Sequence, residues 1–414
     1  MLHVTRRLTG SVVAVFLIIL WVPVAIAGAG RQRAFRGGPS LVVGTEYRIP
    51  SKPDNPWLES VAVASGSSGG LVVWTESGPR DRESTVRFAR LAADGHPIDA
   101  AGQPLFENGH YQRHVAIDAL NDQFVVTWCD ITPEKNQIVA LRLDAAGRAL
   151  DSVPLVIADN VGSSEPAVGV TCGNADCLVT WGGDVRDGSA LSIGAVKGVE
   201  VHAGGAQTTS VPMQLAEKGL GNGIGTDHAN YCMVYAEQHA YGQSGALVAR
   251  LVGGNGASSE LSLPSSQQVE FGTTWVAWNG SQWFILLLDL TTSGGLSQEV
   301  RFLRVDGAGK PVGNPDAILF ESSTVPLLCP QVPDLFLYDP QNRRVVWDGN
   351  SFVVFTQHSI ARVTRDGIVG PRLNADDYFP RSYTISVASS GGGRTLVAYS
   401  RDSAVAVRAI DESP

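Results

Sequence analysis

No stretch of this chain carries the apolar period of an amphipathic helix, and methionine is scarce, with 3 among 414 residues. That points away from helical bundles and towards an all-β protein. Past residue 29 no apolar run is long enough to cross a bilayer as a helix. H-E-x-x-H, a phosphate-binding loop and an EF-hand loop are all missing. The common sequence signatures of zinc hydrolases, nucleotide enzymes and calcium sensors are therefore missing too. "GSSGG" at 66–70 satisfies G-x-S-x-G in form only. It occupies a short turn that other parts of the chain fill with "ALND" or "CGNAD", not a strand-to-helix elbow. "WDG" and "WNGS" fall short of the Ser-x-Asp-x-Gly-x-x-Trp of a sialidase Asp box.

What is present begins with an export signal. Arg6 and Arg7 precede the apolar segment "SVVAVFLIILWVPVAIA", and small residues at Ala25–Ala29 offer a cleavage site. The competing reading is a retained membrane anchor. No cysteine follows the segment to carry a lipid. Cleavage after residue 29 leaves 29 basic and 40 acidic residues, a net charge of −11. Such a surface repels nucleic acid and anionic lipid and leaves glycans, peptides and proteins as partners. The expected location is secreted, periplasmic or cell-envelope, with no membrane contact beyond the signal, and the chain is expected to be a monomer. The five cysteines would then meet an oxidising compartment.

An apolar run, usually with an aromatic end, keeps returning: "LVVW", "FVVTW", "CLVTW", "YCMVY", "WFILL", "FVVFT" and "LVAY". The runs end at residues 74, 128, 181, 235, 287, 356 and 399, spaced by 54, 53, 54, 52, 69 and 43. Upstream of each lies a short apolar segment and a polar turn. Downstream comes a strand-like segment with an arginine, then a glycine turn, as in "VRFARLAADG" and "IVALRLDAAG". A fourth apolar segment often closes the unit. Four short strands repeated seven times predict a seven-bladed β-propeller with four-stranded blades. The last unit stops one strand short at 404–411, and an extra strand-like segment stands at 40–50. The N-terminal strand should therefore complete the last blade. The chain divides into a signal peptide (1–29), a disordered linker (30–39) and one propeller (40–411). The Pro-rich stretch 321–343 reads as an inserted loop.

This repeat resembles that of secreted bacterial β-propeller proteins, whose blades carry G-x-x-[FYC]-L-V-V-W-x-[DE] and, further on, R-[VL]-x-x-x-G. The resemblance spans residues 40–411 and implies architecture; it assigns no activity. Blade 3 lacks the arginine, and blades 5 and 6 end in Leu287 and Thr356.

Cys172 and Cys177 flank the turn of the blade 3 hairpin. Facing residues of an antiparallel pair lie within disulfide reach, so a staple is expected, contributing about 2 kcal/mol. A metal site would need two further ligands. Cys129, Cys232 and Cys329 are left over, an odd number. The recurring arginines, Arg90, Arg142, Arg250, Arg304, Arg362 and Arg408, read as scaffold that bonds turn carbonyls. The departures are more site-like. Glu76, Asp130, Glu237 and Asp289 follow the anchor by two residues and Asp184 by three, while blade 6 places His358 there and blade 7 Arg401. They should form an acidic rim where second strands enter their loops, beyond reach of the repeat arginines. "EQHAYG" adds His239 and Tyr241, groups suited to sugars or peptides. No catalytic residue and no cofactor is assigned; Ca2+ is conceivable but no motif supports it. The leading expectation is a non-catalytic binding propeller acting through its loop-bearing face. The alternatives are a polysaccharide hydrolase or lyase using the rim carboxylates, and a structural envelope protein.

Overall fold

A computed structural model describes residues 38–413 apart from 52–56, 78–83, 160, 162–167, 188–189, 206–211, 238–244, 254–257, 262, 264–267, 270, 292–295, 314–317, 326–342, 357–358 and 380–383. The expected signal peptide and Cys329 lie outside these residues. Among those described, the one helical element is the 3-10 turn Ala375–Asp377. All else is strand and turn.

The strands fall into successive antiparallel groups. Blade 1 opens with Trp57–Gly66, blade 2 with Tyr111–Leu120 and blade 3 with Val168–Cys172. Leu220–Thr226, Phe271–Trp278, Val345–Trp347 and Ile385–Gly391 open blades 4 to 7. Within each blade the next strands pair outwards in chain order. A parallel contact between Ser84 and Tyr111 joins blades 1 and 2 into one sheet. Each first strand packs on the first strand of the following blade, and the blade 7 strand packs on that of blade 1. The result is a closed ring of radial sheets, a β-propeller.

The repeated apolar runs are explained by burial on both faces. In the second strand of blade 4, Asn230–Glu237, alternate side chains point to opposite neighbours. Tyr231, Met233 and Tyr235 join an apolar layer with blade 3, while Cys232, Val234 and Ala236 join one with blade 5. The other inter-blade spaces hold equivalent layers, including one between blades 7 and 1. The core is thus distributed among the gaps between blades. The anchor Trp74 is fully buried, and a Cβ on Gly102 would fall 2.1 Å from its ring. Glycine there lets the connection cross the indole.

Ring closure follows the expected route. Leu41–Val43 and Tyr47–Pro50 pair with the C-terminal strand Ala404–Glu412, with Leu41 opposite Glu412 and Tyr47 opposite Val407. Of the expected linker, Gly38 and Pro39 are described and lie against Gly370 of blade 6. The junction is locked by Glu46. Its carboxylate accepts Arg48 Nε at 2.7 Å, Tyr399 Oη at 2.6 Å, Arg408 Nη2 at 3.0 Å and Arg401 Nη1. Burial pushes the Glu46 carboxyl up, but the hydrogen bonds from Tyr399 and Arg48 and the charge of Arg401 outweigh it and hold it down at about 2. The lock therefore stabilises fully above the ordinary carboxylate value of 4.5 and is lost as pH falls through about 2. Glu46→Gln should be less stable than the parent at neutral pH, and the gap should close during acid titration followed by circular dichroism. A gap that stays constant down to pH ~2 would contradict this.

Cys172 faces Cys177 in register, with Cα atoms 3.9 Å apart, and the two are disulfide-bonded. Cys129 and Cys232 are buried, and burial pushes the Cys232 thiol up. Four of the repeat arginines reach backbone carbonyls of a neighbouring blade, three in turns and one, that of Leu215, in a strand. Arg304 Nη1 donates to the Arg365 carbonyl at 2.7 Å, Arg362 Nη2 to that of Gly393 at 2.6 Å, Arg250 Nη1 to that of Leu215 at 3.0 Å, and Arg142 Nη1 to that of Ala203. Arg90 instead holds Asp99 of its own blade, with Nη2 2.6 Å from Oδ1. The 321–343 stretch is not wholly loop, because its first residues extend the strand Ile318–Val325 along the long strand Leu296–Asp306.

Candidate functional site at the seam of blades 1 and 2

The acidic positions lie in the closing residues of the second strands, where these run towards their loops. Glu76 is in Gly69–Ser77, Asp130 in Gln123–Ile131, Asp184 in Asp176–Asp187, Glu237 in Asn230–Glu237 and Asp289 in Gln282–Thr291. Two of them are neither exposed nor uncompensated, which corrects the expected acidic rim at blades 1 and 2. Glu76 is buried, 3.3 Å from Arg87 Nε and 3.3 Å from Trp74 Nε1. Arg87, three residues before the repeat arginine, faces Trp74 across the sheet and so reaches a carboxylate that Arg90 cannot. Asp130 is buried, 2.7 Å from His110 Nδ1, and accepts Asn108 Nδ2 at 3.1 Å. Glu237 ends its strand exposed, opposite Ala246. For Asp184 and Asp289 only the backbone is described, opposite Ile193 and Glu299. His239, Tyr241 and His358 lie outside the described residues.

The structure assembles a different group at the same end of the ring. Glu59 starts the blade 1 first strand, and Tyr111 and Arg113 start that of blade 2. Glu59 Oε2 accepts Arg113 Nε at 2.7 Å, and Oε1 accepts Tyr111 Oη at 3.2 Å and Ser77 Oγ at 3.3 Å. The Arg113 guanidinium lies 5.3 Å from the centre of the Tyr111 ring. Both strands shift register here, between Leu58 and Val61 and between Arg113 and Ala116. Bulges of this kind re-aim side chains at a sheet rim. His114 sits in the second bulge with φ of 55°. Burial, aided by Arg113, pushes its imidazole down to about 4, so it is neutral at physiological pH. Alongside, His110 is 38% exposed while its partner Asp130 is covered, so the ring presents an imidazole edge to solvent. Gln112 ties the group together, donating to the Phe106 carbonyl at 3.0 Å and accepting the Val86 amide at 2.7 Å. The sequence did hold a trace of this seam. Glu59 and Arg113 stand at equal distances before the valines that open the apolar part of each first strand, Val61 and Val115.

A small cavity among the described residues is bordered by first strands around the ring. It measures about 30 Å3, room for little more than water, and is lined by side chains from the first strands, including Val63, Ile117, Val170, Ile224, Trp275 and Ser386. Arg343, just before the blade 6 strand, also lines it and is its one charged residue among those described. Among the described residues no carboxylate lines the cavity, and no group of three potential metal ligands is present.

No protein-family model matches the chain, and no curated protein matches it. Its strand arrangement is similar to that of the β-propeller domain of the Trilobed protease from Pyrococcus furiosus, at 9% identity over 83% of this chain and 89% of that one, with a TM-score of 0.45. The WD40 domain of Toxoplasma gondii coronin gives 9% identity over 90% and 87%, with a TM-score of 0.47. A subtype N10 neuraminidase-like protein of A/little yellow-shouldered bat/Guatemala gives 7% identity over 91% and 99%, with a TM-score of 0.45. The propeller assignment rests on the chain's own strand order and closed ring.

Proposed function

We propose that this is a secreted, non-catalytic recognition propeller that engages a glycan, peptide or protein through the end of the ring bearing the Glu59–Tyr111–Arg113 seam. One observation carries the reading. An aromatic ring, a forked donor and a carboxylate acceptor converge at the seam between blades 1 and 2. Stacking and bidentate hydrogen bonding are the means by which surfaces hold sugars and peptides without transforming them. The net acidic composition favours neutral or cationic ligands over nucleic acid.

The test is a thermal-shift screen of the exported chain against neutral and amino-sugar oligosaccharides and basic peptides. A ligand at about 100 times its Kd should stabilise by about 2.7 kcal/mol. Tyr111→Ala should weaken that ligand by roughly tenfold or more while the protein still melts cooperatively. No response across the panel, or a response that Tyr111→Ala leaves intact, would defeat the assignment. Cleavage of a polysaccharide that Glu59→Gln abolishes would replace it with hydrolysis.

A further inference from the structure

Arg343, which lines the axial cavity, meets a carboxylate prepared for a planar cation, independently of the seam. Asp118 lies on the blade 2 first strand with its side chain 14% exposed. Its wall-side partners are all local. Oδ2 accepts the Cys172 amide at 3.0 Å and Thr171 Oγ1 at 3.2 Å, both from blade 3, and Oδ1 accepts the amide of Ala119 at 2.9 Å. These donors orient the carboxylate and disperse its charge without cancelling it. The cancelling charge arrives from across the ring. Arg343 Nη2 donates to Oδ2 at 3.0 Å, and Nη1 approaches Oδ1 at 3.4 Å, a two-pronged contact between residues 225 apart in sequence. The backbone of Arg343 is held separately, its carbonyl accepting the Val387 amide at 3.1 Å. Removal of the guanidinium would leave the carboxylate cradle standing.

We infer that the Asp118 carboxylate, held by its blade 3 donors, forms a recognition site for a guanidinium group, which Arg343 fills in cis and which an arginine-like cation from solution fills when the Arg343 side chain is absent. A guanidinium matches because two parallel N–H donors meet two carboxylate oxygens, a geometry that an ammonium cannot copy.

Methylguanidinium chloride is the probe, with methylammonium chloride at equal ionic strength as control, on full-length protein. Arg343→Ala should melt below the parent. Methylguanidinium at about 10 mM should raise its midpoint by about 2 °C or more, with no such rise for methylammonium. The parent, already filled, should not respond, nor should the double variant Arg343→Ala with Asp118→Asn. If Arg343→Ala does not fold unaided, refolding yield replaces the midpoint. Recovery with methylguanidinium and not methylammonium supports the site. Equal responses in parent and variant, persistence in the double variant, or no difference between the two cations overturns it.

Discussion

Removal of residues 1–50 is expected to leave a chain without a cooperative unfolding transition. Those residues include both N-terminal strands, which supply the outer edge of blade 7. Ile49 is fully buried and belongs to the apolar layer joining blades 7 and 1, with Val405, Val407 and Leu396. Losing its burial costs about 2–3 kcal/mol. Leu41 and Val43 pack on the layer between blades 6 and 7. Their loss, and that of the backbone ladder to Ala404–Glu412 at about 1 kcal/mol per hydrogen bond, compounds the effect. Loss of Glu46 leaves Arg401 and Arg408 facing one another without their shared carboxylate. Together these terms rival the whole stability of a typical domain, about 5–15 kcal/mol. Urea titration followed by tryptophan fluorescence checks this. A peptide of residues 38–51 supplied in trans should restore part of the transition. A truncated protein that unfolds cooperatively near the parent midpoint would show that the ring closes without its N-terminal strands.

Arg362→Ala should be the most damaging single substitution among the repeat arginines. Arg362 and Asp348 are both fully buried and form an ion pair. Arg362 Nη1 also donates to Ser351 Oγ at 2.7 Å, and Nη2 reaches the Gly393 carbonyl in blade 7. Among the described residues Asp348 keeps the amides of Asn350 and Ser351, both at 3.0 Å, once the guanidinium is gone. An uncompensated buried charge costs about 3–5 kcal/mol. Arg90 occupies the same place in its blade but is 36% exposed, and its partner Asp99 keeps 7% exposure and the Arg90 amide, so Arg90→Ala should cost less than Arg362→Ala. Denaturant midpoints of the two variants measure the contrast. Adding Asp348→Asn to Arg362→Ala should recover part of the loss, because the stranded charge is removed. Equal costs for the two arginines would mean that burial is not what distinguishes them.

The architecture was legible because its signals are local and repeated. Burial on both faces makes each second strand a continuous apolar run, so Tyr231–Ala236 announces itself without knowledge of its neighbours. The missing fourth strand after Ala404–Glu412 and the spare one before residue 50 announced the closure. The Cys172–Cys177 staple needed only a hairpin. The chemistry of the site was not legible in the same way. Whether Glu76 stands free depends on Arg87 lying across the sheet, and whether Asp130 does depends on His110 and Asn108 in an inter-blade connection. Glu59 and Arg113 meet across a blade seam, and Asp118 and Arg343 meet across the axis. Charge partnerships of this kind are set by register and ring closure, which a linear motif does not encode. Only the continuation of the strand Ile318–Val325 past residue 321 was hidden, since its partner Leu296–Asp306 extends it into residues whose composition suggests a loop.

The manner of closure also decides how the molecule bears load. Leu41 stands opposite Glu412 and Pro50 opposite Ala404, so both ends of the polypeptide leave from the same end of one ladder. Tension between the ends would load the contact of Gly38 and Pro39 with blade 6 and then peel that ladder apart rung by rung from Leu41. A ring secured against heat by its buried layers is thus easily unzipped by a pull on its own tails.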